Sequence, residues 1–127
     1  MLSRRATILA LAAGAVVLSA CAPVPFVVDL PKNGDTVALS VKQPLQVRWS
    51  NANPAAGAWA VEAEPGASAV TFVGHGQQPP SAGAMGLDTF DFLGAKPGAE
   101  RLTFAYRRKS GEPPGPDERI TIKVKVG

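Results

Sequence analysis

The chain has one cysteine, one histidine and one tyrosine among 127 residues, and these scarcities exclude more than the abundant residues suggest. A single cysteine, Cys21, cannot form a disulfide within the chain, so any fold must be held by apolar burial. A zinc site asks for three or four His, Cys, Asp or Glu ligands at close spacing, and His75 stands alone in Gly74-His75-Gly76. It reads as an exposed loop histidine. Nucleophilic catalysis needs an activated Ser, Thr, Cys or Lys with a base in reach, and no such constellation is visible. The acids that approach each other, Glu62 with Glu64 and Asp88 with Asp91, read as solvated residues on polar strand faces. An enzyme is therefore not expected, and neither a metal nor a cofactor is called for. Long apolar runs are also missing. The apolar run that follows Arg5, Ala6 to Val17, is too short to cross a hydrocarbon core, which takes about 20 residues.

That stretch follows Arg4-Arg5 and precedes Leu18-Ser19-Ala20-Cys21, the order of a secretory signal. The last four residues resemble the lipobox of bacterial lipoproteins, an aliphatic residue and two small ones before a cysteine that is acylated. The resemblance implies that residues 1–20 are removed and that Cys21 carries the lipid. Two or more acyl chains anchor stably where one does not. Ala22 is not the aspartate that retains such lipoproteins in an inner membrane, so the periplasmic leaflet of an outer membrane is expected where the source has one. Removing Arg4 and Arg5 leaves 11 basic against 10 acidic residues, a net of +1. The sequence pI of 9.4 is thus no sign of a nucleic-acid partner. The only basic cluster is Arg107-Arg108-Lys109, with no interleaved aromatics.

About 107 residues remain, enough for one domain with one core. A lipidated tether over residues 21–26 leads into a domain over 27–127. Its apolar residues recur with period two. Val37, Leu39 and Val41 alternate with small or polar residues, as do Leu45, Val47 and Trp49. The pattern continues in Trp59-Val61-Ala63, Val70-Phe72, Phe90-Phe92, Leu102-Phe104-Tyr106 and Ile120-Ile122-Val124-Val126. Turn residues separate these runs, at Asn33-Gly34-Asp35, Glu64-Pro65-Gly66, Lys96-Pro97-Gly98 and Gly111 to Asp117. About seven short strands at regular spacing predict an all-β fold, a two-sheet antiparallel β-sandwich, with a small barrel as the alternative. Two stretches, Asn51 to Gly57 and Gly74 to Asp88, read as long loops, and loops of that length in a compact domain tend to be functional.

Four segments in order carry a wider resemblance: Gly34-Asp35-Thr36-Val37; Asn53-Pro54-Ala55-Ala56-Gly57-Ala58-Trp59; Gly83-Ala84-Met85-Gly86 followed by Phe90; and Leu102 to Arg108. They look like the chagasin family of cysteine-protease inhibitors. The resemblance implies an immunoglobulin-like β-sandwich in which three loops wedge into the cleft of a papain-like protease. It assigns protease contact to Asn53, Pro54, Ala55, Ala56, Gly57 and Trp59 in the first loop. It assigns Gly83, Ala84, Met85 and Gly86 in the second, and Arg108, Lys109 and Ser110 in the third. Pro54 and the glycines would stiffen or fit such loops, lowering the entropy lost on binding.

This chain departs from the family pattern in each loop. Ala55 and Ala56 replace two threonines, and one residue is missing before Trp59, a gap able to turn that side chain to the other sheet face. Met85-Gly86 stands for a glycine pair, and Lys109-Ser110 for a proline and an aromatic. Loss of an aromatic anchor costs roughly 2 kcal/mol. Two readings stay open: a membrane-tethered inhibitor of papain-like cysteine proteases, and a non-inhibitory envelope adaptor on the same sandwich. Small-ligand or sugar binding has little support, because the aromatics fall at core-facing positions.

Overall fold

The computed structural model describes residues 24–62 and 69–127. The signal, Cys21 and Ala22, together with Ala63, Glu64 and the Glu64-Pro65-Gly66 turn, lie outside the described residues. Eight strands follow in chain order: β1 (Phe26–Asp29), β2 (Thr36–Leu39), β3 (Pro44–Asn51), β4 (Gly57–Val61), β5 (Val70–Gln78), β6 (Gly86–Gly94), β7 (Gly98–Arg108) and β8 (Arg119–Val126). One 3-10 turn, Pro116–Glu118, precedes β8. The strands form two four-stranded sheets, ordered β1-β3-β6-β5 and β2-β8-β7-β4.

Period-two alternation is the cause of this architecture, because each strand offers one apolar side and two such sides close on each other. The first sheet contributes Leu45, Val47, Trp49, Phe90 and Phe92 to the interior, and the second contributes Val37, Leu39, Leu102, Phe104, Ile122, Val124 and Val126, all buried. The rings interlock. Phe104 meets Trp49 edge-on at 4.8 Å and Phe90 at 5.3 Å, so the central contact between sheets is aromatic. Burying each such side chain stabilises the fold by about 1.5–3 kcal/mol.

The structure corrects the strand assignment in three places. Phe26–Asp29, placed at the tether boundary by sequence, is an eighth strand, pairing parallel with β3 from Phe26 opposite Leu45. β2 also pairs parallel, with β8, so the sandwich is antiparallel only inside these two edge pairings. Residues 74–78 and 86–88, expected within a long loop, are strand, and the connection between β5 and β6 shrinks to residues 79–85. The physical reason is a bulge at Val73, where the register shifts between Phe72 and Gly74. One extra residue breaks the alternation, and beyond it His75 and Gln77 lie opposite Phe90 and Asp88 on their face of the sheet, exposed at this edge strand. His75 is therefore not in a loop. Its ring lies flat on Phe90, with centroids 4.8 Å apart and planes 10° from parallel.

Candidate functional site

Three connections gather at one pole of the sandwich, and the strand register is what gathers them. β3 ends at Asn51 directly opposite Gly86, the first residue of β6, so the first connection (52–56) adjoins the second (79–85). β4 begins at Gly57 directly opposite Arg108, the last residue of β7, so the first connection also adjoins the third (109–118). The Lys109 N–H donates to the Ala56 carbonyl at 3.0 Å across that second seam. The chain enters β1 at the other pole, where Phe26 lies beside Leu45 near the start of β3.

Each connection is fixed by its own chemistry. In the first, the Asn53 N–H donates to Asn51 Oδ1 at 3.1 Å and the Ala56 N–H donates to the Asn53 carbonyl at 3.0 Å. Pro54 sits where its locked φ favours that turn. In the second, Ser81 and Ala84 exchange backbone hydrogen bonds of 3.1 and 3.0 Å around a tight tip. Gly83 supplies the left-handed residue there at φ +80°. In the third, Arg108 donates twice to Glu118, from Nη1 to Oε1 at 2.7 Å and from Nη2 to Oε2 at 2.5 Å. The Gly115 N–H adds a bond to Oε1 at 2.9 Å. The contact with Arg108, helped by Gly115, holds the Glu118 carboxyl below its usual range and raises Arg108 in turn.

Beneath these loops lies a buried polar clamp. Asp88 is fully buried, and its Oδ2 accepts from Asn51 Nδ2 and from the Trp59 N–H, each at 3.0 Å. Gln77 Nε2 donates to its Oδ1 at 3.2 Å. The Asn51 amide also donates to the Gly57 carbonyl at 3.0 Å, so the Asn51–Asp88 pair ties both ends of the first connection to β6. Asp88 is thus no solvated surface acid as expected from sequence, because three donors compensate its burial. Asn51 and Asp88 were missed as site residues. A signal was present: the inward stripes Leu45-Val47-Trp49 and Phe92-Phe90, each continued by one step, end on these two polar residues.

An aromatic ladder rises from the core to the same pole. Trp49 and Trp59 stack at 4.5 Å and 11°, Tyr106 meets Trp59 edge-on at 5.9 Å, and the Arg108 guanidinium covers the Tyr106 ring at 5.5 Å. The expected site residues fall accordingly. Asn53, Ala55, Ala56, Gly83, Ala84, Met85, Lys109 and Ser110 are exposed on the pole, with Pro54 half-buried among them. Gly57 and Gly86 are buried, and a Cβ on either would lie within 2.6 Å of a backbone oxygen, so they serve chain packing. Trp59 points inward, so the missing residue before it has not turned it out to solvent. Arg108 is held by Glu118 and Tyr106, whereas its neighbours Arg107 and Lys109 form no ion pair among the described residues. Among the described residues no group of three His, Cys, Asp or Glu is placed to hold a metal.

An eight-stranded two-sheet sandwich with three stiffened loops at one pole defines the class. Residues 32–124 match the family model described as Chagasin family peptidase inhibitor I42, and the chain belongs to that family. The crystal structure of the cysteine protease inhibitor EhICP2 from Entamoeba histolytica is similar at a TM-score of 0.64 and 12% identity, over 81% of this chain and 95% of that one. The solution structure of amebosin is similar at 0.58 and 21% identity, over 82% and 99%. PbICP-C, solved in complex with falcipain-2, is similar at 0.50 and 15% identity, over 80% and 97%. At such identities these likenesses speak for the fold. No curated protein matches the chain.

Proposed function

We propose that this chain inhibits papain-like cysteine proteases by filling their cleft with the pole formed by residues 52–56, 79–85 and 109–118. The convergence of the three connections carries this reading, together with membership of a peptidase-inhibitor family and a neighbour solved on falcipain-2. A wedge of this kind inhibits because it occupies the cleft without presenting a scissile bond in reactive geometry. Its affinity depends on how little entropy it loses, and the Asn51–Asp88 clamp lowers that cost by fixing both ends of the first loop. Exposed Ala55 and Ala56 carry the shape of the first loop without hydroxyls, and Met85 supplies an apolar contact, 59% exposed at the second. Titration of papain with the mature chain carrying Cys21→Ser tests the proposal. Reversible, competitive inhibition is expected, and no inhibition at high micromolar concentration rejects it.

Anchoring through acylated Cys21, in the periplasmic leaflet of an outer membrane where the source has one, is part of the same proposal. The entry of the chain at the pole opposite the loops supports it, since an anchor there leaves the wedge unobstructed. Metabolic labelling with a fatty acid, lost on Cys21→Ser, is the expected result. The second reading, an envelope adaptor, is favoured by one observation: Arg108 and Trp59 are engaged inside the domain. Crosslinking in the envelope separates the two, by recovery of a cysteine protease or of structural envelope proteins alone.

A further inference from the structure

The outward face of the β2-β8-β7-β4 sheet concentrates cations among small side chains. On β8, Arg119, Lys123 and Lys125 alternate with the buried Ile122, Val124 and Val126; on β7, Arg101 and Arg107 lie in the phase opposite to Leu102 and Phe104. All five cations are exposed. Arg101 lies directly opposite Lys123, and the residues set against the others are alanines: Ala105 opposite Arg119, Ala58 opposite Arg107, Ala99 opposite Lys125. Only Arg119 has a carboxylate, Glu62 at 2.7 Å; among the described residues the other four form no ion pair. Of the other acids, Asp29 pairs with Arg48, Glu118 pairs with Arg108, and Asp88 is buried.

This arrangement works against the fold. Like charges directly opposite in an antiparallel pair are destabilising, and β7 and β8 are interior strands, so edge protection does not explain them. Beside the Arg101–Lys123 pair is a shallow cavity of about 430 Å³, completed by Asn33, Gly34, Thr36 and Thr121. Two cations with two hydroxyls suit a phosphate oxygen cluster. The aromatics Trp59 and Tyr106 belong to the inward phase, so this face has no ring on which a base or sugar could stack.

We propose that this face binds the phosphate headgroups of an anionic lipid membrane. Short side chains between the cations leave them free to meet one surface together. Each basic residue near such a surface adds to the attraction, and salt weakens it. The choice of a membrane as the source of phosphate rests on the anchored reading above, in which the residues from Cys21 to Pro25 reach at most roughly 14 Å. The chemistry of the face does not depend on that reading.

The test uses the mature chain carrying Cys21→Ser, which cannot be acylated, so binding reports the face alone and is independent of whether acylation occurs. Co-sedimentation is measured with neutral phosphatidylcholine vesicles and with vesicles containing about 30% phosphatidylglycerol. Binding to the anionic vesicles only, weakened by salt, is expected. The triple variant Arg101→Gln, Lys123→Gln, Lys125→Gln should lose about tenfold or more in affinity. The variant Lys42→Gln, Lys96→Gln, Lys109→Gln, with the same change in charge, should retain most of it. Thermal melting checks that both variants fold. Equal binding to both vesicles, no binding to either, equal losses in the two variants, or binding to a soluble polyanion but not to vesicles would each overturn the proposal.

Discussion

The side chain of Asp88 on β6 accepts the backbone N–H of Trp59 on β4 at 3.0 Å, so a residue of one sheet satisfies the main chain of the other. The bond lies immediately under the first loop, and it couples loop position to sheet packing. Replacement of Asp88 by Ala removes the acceptor of the Trp59 N–H and of the buried Asn51 amide, together with a bond from Gln77, whose side chain is exposed. Hydrogen bonds to charged groups are worth about 1.5–3 kcal/mol each, and lost partners add a desolvation cost. A loss of at least about 3 kcal/mol is expected in urea unfolding, with Asp88→Asn in between, since its amide cannot accept from all three.

Gly86 and Gly83 flank the same short loop but should respond differently to alanine. A Cβ at Gly86 would sit 2.5 Å from the Asn51 carbonyl oxygen and 2.9 Å from that of Gln78, both backbone atoms of paired strands. Overpacking of this kind costs about 1–3 kcal/mol and would pry the first two loops apart. At Gly83 nothing lies within 4 Å, and only the φ of +80° resists, a cost of about 1 kcal/mol confined to the tip. Chemical denaturation of the two variants checks the order.

Acid should weaken the third loop. Glu118 is held below its usual value by Arg108 and then by Gly115, and Asp29 by Arg48. A carboxyl lowered in the folded state binds fewer protons there than in the unfolded chain, so stability rises with pH across that window. The contribution is complete above the usual carboxylate values and disappears as pH falls through the folded ones. Unfolding midpoints followed from about pH 6 to pH 3 should decline, and Glu118→Gln should flatten part of the decline.

Restoring hydroxyls to the first loop should improve the proposed inhibition. Ala55 and Ala56 are exposed at the pole, so Ala55→Thr with Ala56→Thr adds side chains facing outward. Two new hydrogen bonds at about 0.7 kcal/mol each correspond to roughly a tenfold fall in the inhibition constant against papain. An unchanged constant would mean that this loop does not reach the catalytic groups.

Much of this structure is legible in the chain because period-two burial is a local signal. Strands β3, β7 and β8 are long alternations, and their inward residues are those found buried. The signal fails where geometry interrupts it. At Val73 one inserted residue moves the phase, and the glycines that follow look like loop although they pair with β6 throughout. Gly76 is there for a reason visible only in three dimensions: a Cβ would meet Thr89 Oγ1 at 2.8 Å. β1 is short, with Phe26, Val27 and Asp29 exposed, so it has no buried stripe to announce it.

At the pole, the family resemblance located the three loops, and the register explains why they meet. The same resemblance could not say which side chains remain outward. Trp59 is drawn inward by its stack on Trp49, and Arg108 by a carboxylate ten residues later in a loop of irregular length. Both are tertiary choices, made by partners that a linear motif does not contain.

The pairing of β2 with β8 has a temporal consequence. β2 joins its sheet only through the final strand, so Val37 and Leu39 lack their main-chain partners until Val124 and Val126 are available. Contacts of such sequence separation are slow to form, because closing a long loop precedes any reward. A nascent chain emerging N-terminus first therefore holds an unfinished sandwich until synthesis is nearly over.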